Sequence, residues 1–224
     1  MKFDLLLCSG DYDKKIFEHI FPNNINVDVV GLPRNEALVK ESLNKDIIKN
    51  RVIKKLGLDP QKEVLLYAPT FREYNLGISS GENKFFDKKF LDKISKEYNV
   101  LVRGHYFALE NLNNKHIFNV SKYENLNELM IASDILISDY SSIIFDYLLL
   151  DKPILLYLFD YTKYSTYRGL YFNPNNFFDS YIEINQLTEK LLRKDFKNSK
   201  NLKRQFNNLN NPLSLIKNKL LDSK

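Results

Sequence analysis

The chain has one cysteine, Cys8, in 224 residues. No intrachain disulfide can form, a metal site built on several thiolates is excluded, and a reducing compartment fits. Glycine and proline number only 7 each, too few for a long linker or a disordered chain. Tryptophan is absent. No apolar run approaches the roughly 20 residues that a membrane-crossing helix needs. The run Phe3 to Cys8 is too short for a signal-peptide core and has no cleavage-type tail. The expectation is a cytoplasmic protein, soluble or peripheral on the inner face of the cell membrane.

Against these absences stand 44% hydrophobic and 27% charged residues, enough to bury a full core in one large domain. The net charge is +5 and the isoelectric point about 9.0. A solvated lysine-rich surface accounts for that charge. Attraction to anions is the second reading: nucleotide phosphates, a phosphate polymer or an anionic membrane face.

Short apolar runs alternate with amphipathic ones. Strands are expected at 5–7, 27–30, 64–68, 100–102, 117–120, 135–137 and 153–158. Helices are expected at 14–21, 45–56, 87–98, 126–132 and 141–150. Gly57 and Pro60 stop the second helix. Near-continuous apolar strands between helices predict an α/β fold, a Rossmann-like parallel sheet with helices on both faces. The tail from 184 reads as two or three charged helices broken at Pro212. The stretch 160–171, with four tyrosines and no regular period, reads as an ordered loop, a kind of segment that commonly carries binding groups, although tyrosines packed over the sheet end account for it equally.

In a doubly wound sheet, ligands bind at the carboxyl ends of the strands. Three polar clusters follow apolar strands directly: Pro69-Thr70-Phe71-Arg72, Arg103-Gly104-His105 and Ser138-Asp139-Tyr140-Ser141-Ser142. The last leads into a helix, whose unpaired N–H groups suit a phosphate, although Ser or Asp there also serves as a plain cap. Asp146 lies one turn beyond Ser142 and is placed to accept ribose hydroxyls. Arg103, Gly104 and His105 offer a permanent cation, close backbone approach and a proton donor, which suits a diphosphate, although a strand-end histidine serves a purely structural role as often. Arg34, in Gly31-Leu32-Pro33-Arg34-Asn35, is placed to reach a phosphate from across a cleft, although spacing alone fits a surface arginine at a proline-set turn at least as well. His19 and His116 lack such company.

The set of motifs resembles the CDP-glycerol glycerophosphotransferase family, which primes or extends teichoic-acid-type polymers. The matching stretches are GLPRNE (31–36), LLYAPTFRE (65–73), LVRGHYF (101–107), SDILISDYSSIIFDYLLLDKPILLY (133–157) and YRGLYF (167–172). Glu36 stands where the family usually has Asp. The resemblance implies one half of a GT-B architecture, the C-terminal, donor-binding one. Its expected parts are a remnant of the preceding domain at 1–30, a nucleotide-binding domain at 31–183 and C-terminal helices at 184–224.

By the same likeness Arg34, Pro69, Thr70, Arg103, Gly104, His105, Ser141, Ser142 and Asp146 contact CDP-glycerol or a similar CDP-polyol, and His105 is the catalytic residue on the diphosphate side. Glycerol phosphate passes to a hydroxyl of a phosphate-containing polymer acceptor, with release of CMP. No cofactor and no nucleic acid are implied. An anionic membrane surface and a separate N-terminal domain are further partners to expect, because the residues before GLPRNE hold no match to the family's acceptor base. Two alternatives stay open: a non-catalytic cytidine-nucleotide-binding remnant, and a GT-B transferase for another nucleotide-activated donor.

Overall fold

The computed structural model describes residues 5–21, 25–70, 88–104, 115–197, 200–208 and 211–222. The chain begins with a β-α-β unit: β1 (Leu5–Cys8), α1 (Asp11–Ile20) and β2 (Asn26–Val29). The two strands pair in parallel, from Leu5 opposite Asn26 to Cys8 opposite Val29. Two helices follow, α2 (Pro33–Ser42) and α3 (Lys45–Leu56). Pro33 occupies the first turn of α2, where its missing N–H costs nothing. Gly57 closes α3 at φ 67° and ψ 37°, the left-handed conformation that glycine adopts without steric cost.

The main sheet comprises β3 (Glu63–Tyr67), β4 (Tyr98–Val102), β5 (Ile117–Asn119), β6 (Ile135–Ser138), β7 (Ile154–Tyr157) and β8 (Asp179–Tyr181). Before β4 comes α4 (Lys88–Ile94). Then α5 (Leu126–Ala132) precedes β6, α6 (Ile143–Tyr147) follows it, and α7 (Tyr161–Arg168) follows β7. The tail holds α8 (Ile184–Arg193), α9 (Lys200–Phe206) and α10 (Pro212–Asp222). All pairings in the sheet are parallel, and the order is β5-β4-β3-β6-β7-β8. The chain winds outward from β3 through β4 to β5, then crosses back to β6 and winds the other way. This is the doubly wound Rossmann order, with its switch point between β3 and β6.

Side-chain alternation assigns each strand residue to a face. Leu66, Leu101, Leu136 and Leu156 join the core under α2, α3, α5 and α6. Leu65, Val100, Ile135, Ile137 and Leu155 join the other core, under α4 and α8. A sheet buried on both faces explains the unbroken apolar strands. Each fully buried Leu or Ile contributes about 1.5–3 kcal/mol over exposure.

The structure departs from the sequence reading in several places. The helix expected at 87–98 ends at Ile94, and Tyr98 and Asn99 join β4 opposite Glu63 and Val64. The Asn99 side chain bonds the carbonyls of Asp59 and Lys62 and accepts from the Asp59 amide, and these long-range bonds outweigh helical periodicity. The expected loop at 160–171 is mostly helix α7. Its period was hidden because Tyr164 is its one buried residue. The expected helix at 141–150 divides into α6 and a 3-10 turn, Leu148–Leu150, closed by Asp151 at φ 54°. Helix α2 and strand β8 were not foreseen. Helix α2 buries just Asn35 and Leu38, too little to print an amphipathic pattern.

The segment after α9 docks on the N-terminal unit. The Asn208 amide donates to the Ser9 carbonyl at 2.7 Å, and the Asn208 side chain donates to the Val29 carbonyl at 3.1 Å. A Cβ on Gly31, whose φ is 81°, would lie 2.2 Å from the Asn208 carbonyl oxygen. Tyr12 of α1 reaches the same place, with its ring centroid 5.0 Å from that of Phe206 and 5.9 Å from Phe172 and Phe177.

Candidate functional site

A pocket of about 510 Å³ opens over the carboxyl ends of β3, β4 and β6, at the switch point. Its lining includes Arg34, Pro69, Arg103, Gly104, Ser141, Ser142 and Asp146. Residues named from four separate stretches of sequence thus meet in one place. Thr70 follows the lining residue Pro69, and its hydroxyl donates to Asp139 Oδ1 at 2.6 Å. His105, Phe71 and Arg72 lie outside the described residues.

The turn after β6 brings its serines to the pocket in different states. Ser141 Oγ accepts a long bond, 3.5 Å, from the Ile143 amide. Ser142 occupies the cap position of α6 at φ −63° and ψ −13°, yet its side chain makes no capping bond. Capping therefore does not account for Ser142. Its hydroxyl has no partner among the described residues and is exposed at the pocket.

Arg34, at the start of α2, meets Asp146 of α6. Arg34 Nε donates to both carboxylate oxygens, at 3.1 and 3.3 Å. The Asp146 side chain is 11% exposed and that of Arg34 is 58% exposed. Burial pushes the Asp146 carboxyl above its ordinary value, and Arg34 offsets part of that shift. Among the described residues, no hydrogen bond engages the terminal guanidinium nitrogens of Arg34, which suits them to an anion. Asp146, expected as a ribose acceptor, first serves to aim Arg34.

Arg103, just past β4, donates from Nη1 to the Val120 and Tyr123 carbonyls at 3.0 and 2.8 Å. It thereby fixes the loop after β5. Burial lowers the pKa of its guanidinium, which leaves a permanent cation at the pocket wall. The Gly104 amide donates to Ser121 Oγ at 3.2 Å.

Ser121, Leu126, Ile143 and Ala68 also line the pocket, and the sequence reading missed them. Ser121 was within reach of the same rule, since it follows β5 as the named residues follow β3, β4 and β6. The two leucine-class residues carry no chemical signal, because they read as ordinary helix core. Among the described residues, no cluster of three or more His, Cys, Asp or Glu is placed to hold a metal ion. No described helix is long and apolar enough to cross a membrane.

The chain matches the family described as CDP-Glycerol:Poly(glycerophosphate) glycerophosphotransferase over residues 1–213. It is similar to the teichoic acid poly(glycerol phosphate) polymerase of Bacillus spizizenii, at 34% identity over 77% of this chain and 45% of that protein. Similarity extends to the teichoic acid glycerol-phosphate primase of Bacillus subtilis, at 32% identity over 75% of this chain and 43% of that protein. The teichoic acid poly(ribitol-phosphate) polymerase of Bacillus spizizenii is 31% identical over 77% of this chain and 29% of its own length.

Among solved structures, a histidine-to-alanine variant of the wall teichoic acid polymerase TagF superposes with a TM-score of 0.77 at 26% identity. That match covers 99% of this chain and 58% of TagF, and a TagF variant soaked with CDPG superposes with the same score. The chain spans less than half the length of these curated relatives. Its doubly wound sheet is one Rossmann-like half of a GT-B architecture. By sequence and by structure, the chain belongs to the CDP-glycerol:poly(glycerophosphate) glycerophosphotransferase family.

Proposed function

We propose that this chain binds CDP-glycerol, or a related CDP-polyol, in the pocket over β3, β4 and β6. It serves the transfer of polyol phosphate to a hydroxyl of a growing cell-surface polymer. The observation that carries this reading is the convergence of Arg34, Arg103, Gly104, Ser141, Ser142 and Asp146 on one pocket at the switch point. The glycerol and ribitol relatives support the CDP-polyol class.

The diphosphate lies over Ser141 and Ser142, between the guanidinium groups of Arg34 and Arg103. In the transfer, an acceptor hydroxyl oxygen attacks the β-phosphorus. The bond from that phosphorus to the bridging oxygen breaks, and CMP leaves with the electron pair. The hydroxyl proton passes to a base. His105, next to Gly104 in sequence, acts on the leaving side by hydrogen bonding or protonating the departing phosphate. Such catalysis is mainly positioning and charge stabilisation. The acceptor is a phosphate-containing polymer. A separate N-terminal domain supplies the base, and the basic surface meets an anionic membrane face.

Calorimetric titration of the chain with CDP-glycerol, CDP-ribitol, CMP and UDP-sugars tests the reading. Binding by a CDP-polyol, weakened in His105→Ala, is the expected result. Binding by none of these nucleotides contradicts it, and tighter binding by a UDP-sugar moves the chain to a different donor class.

A further inference from the structure

The Asp139 carboxylate is 2% exposed, and a charge so placed is tolerated only when hydrogen bonds satisfy it. Its donors come from both sides of the switch point. From the loop after β3, the Thr70 amide donates at 2.8 and 3.1 Å to the two oxygens, and the Thr70 hydroxyl at 2.6 Å. From the turn after β6, the Tyr140 amide donates at 2.6 Å. One residue earlier, Ser138 Oγ donates to the Ala68 carbonyl at 2.6 Å, which holds the two strand ends together beneath this carboxylate. The residues on either side of the clamp, Pro69 on one and Ser141 and Ser142 on the other, line the pocket.

We infer that Asp139 is a positioning residue, which sets the separation of the β3 loop from the Ser141-Ser142 turn and so the width of the anion pocket between them. Its carboxylate oxygens are occupied by protein donors, and its negative charge is unsuited to a direct contact with phosphate. The inference rests on the nucleotide-binding reading above for the identity of the ligand, but not for the existence of the clamp. Tyr140 secures the turn from its other side. Its ring stacks on Tyr164 at 3.8 Å between centroids, and its hydroxyl donates to Asp160 at 3.3 Å.

The test uses Asp139→Asn, Thr70→Val and Thr70→Ser in the full chain, with two readouts. Amide hydrogen exchange follows residues 140–143, and calorimetry follows CDP-glycerol binding. Thr70→Val nearly preserves shape and removes just the hydroxyl donor, so it decides the matter should Asp139→Asn not fold. The expected result is exchange about fivefold faster at 140–143 in Thr70→Val, with the α8 amides unchanged. CDP-glycerol binds about tenfold more weakly while the variant stays folded by circular dichroism, and Thr70→Ser restores both readouts. Unchanged exchange overturns the clamp. Faster exchange with parental affinity overturns its role in setting the pocket. If the parent binds no CDP-polyol, the nucleotide reading falls, and the exchange readout still decides the clamp by itself.

Discussion

At the residue scale, one ion pair carries a measurable signature. Asp146 is buried enough that its carboxyl titrates above the ordinary value despite Arg34. Between the unfolded value, about 4, and the raised folded value, the folded state binds more protons than the unfolded state. Stability therefore falls as pH rises through that window, and the loss persists at neutral pH. Asp146→Asn removes the titration, and Arg34 is exposed enough to be solvated without its partner. Denaturant unfolding of parent and variant, from about pH 4 to pH 7, should show the parent losing stability relative to the variant as pH rises. A constant difference across that range would mean that the carboxyl is not perturbed.

At the same scale, one side chain can be separated from its look-alikes. Ser142 has an exposed hydroxyl and makes no capping bond, whereas Thr70 spends its hydroxyl on Asp139. The sequence motif names both as ligand contacts, and geometry assigns them different work. Composition and spacing bring Ser142, Arg34 and Asp146 to notice, because each follows a strand or sits at helical spacing from one that does. Those signals leave open which polar group faces the pocket and which faces a neighbouring loop. That choice depends on Asp139, which takes donors from Thr70, 69 positions away in sequence, and from its own neighbour Tyr140.

At the element scale, parallel order places the site. The switch between β3 and β6 leaves a crevice that no helix connection crosses, and the polar turns after those strands fill its rim. The strands were legible because burial on both faces makes them apolar throughout. The β4 boundary was not, since Tyr98 and Asn99 are held by partners at Leu191, Asp59 and Lys62. Helix α7 was not either, since it buries just Tyr164, which stacks on Tyr140.

The junction of the β-α-β unit with the segment after α9 tolerates no side chain. Gly31→Ala combines a positive φ with a backbone clash at Asn208. It should destabilise the chain by about 1–3 kcal/mol or more, read as a fall in the denaturation midpoint. Gly57→Ala, at a positive φ with open space around it, should cost about 1 kcal/mol, the penalty of a Cβ in the left-handed region. Equal losses at the two sites would show that the close approach at Gly31 contributes nothing.

At the scale of the molecule, a chain of net charge +5 presents two arginines and a serine turn at one pocket. Electrostatics of that kind is screened by salt. CDP-glycerol affinity should drop several-fold as ionic strength rises from about 0.05 to 0.5 M, while cytidine affinity changes little. On the proposed reading, the diphosphate of the donor is the group these charges hold. The claim that joins every level is that the diphosphate sits on the turn after β6. Calorimetric titration of Ser142→Ala with CDP-glycerol and with cytidine tests it most directly. The account predicts about tenfold weaker binding of CDP-glycerol and parental binding of cytidine. Parental affinity of Ser142→Ala for CDP-glycerol would contradict it.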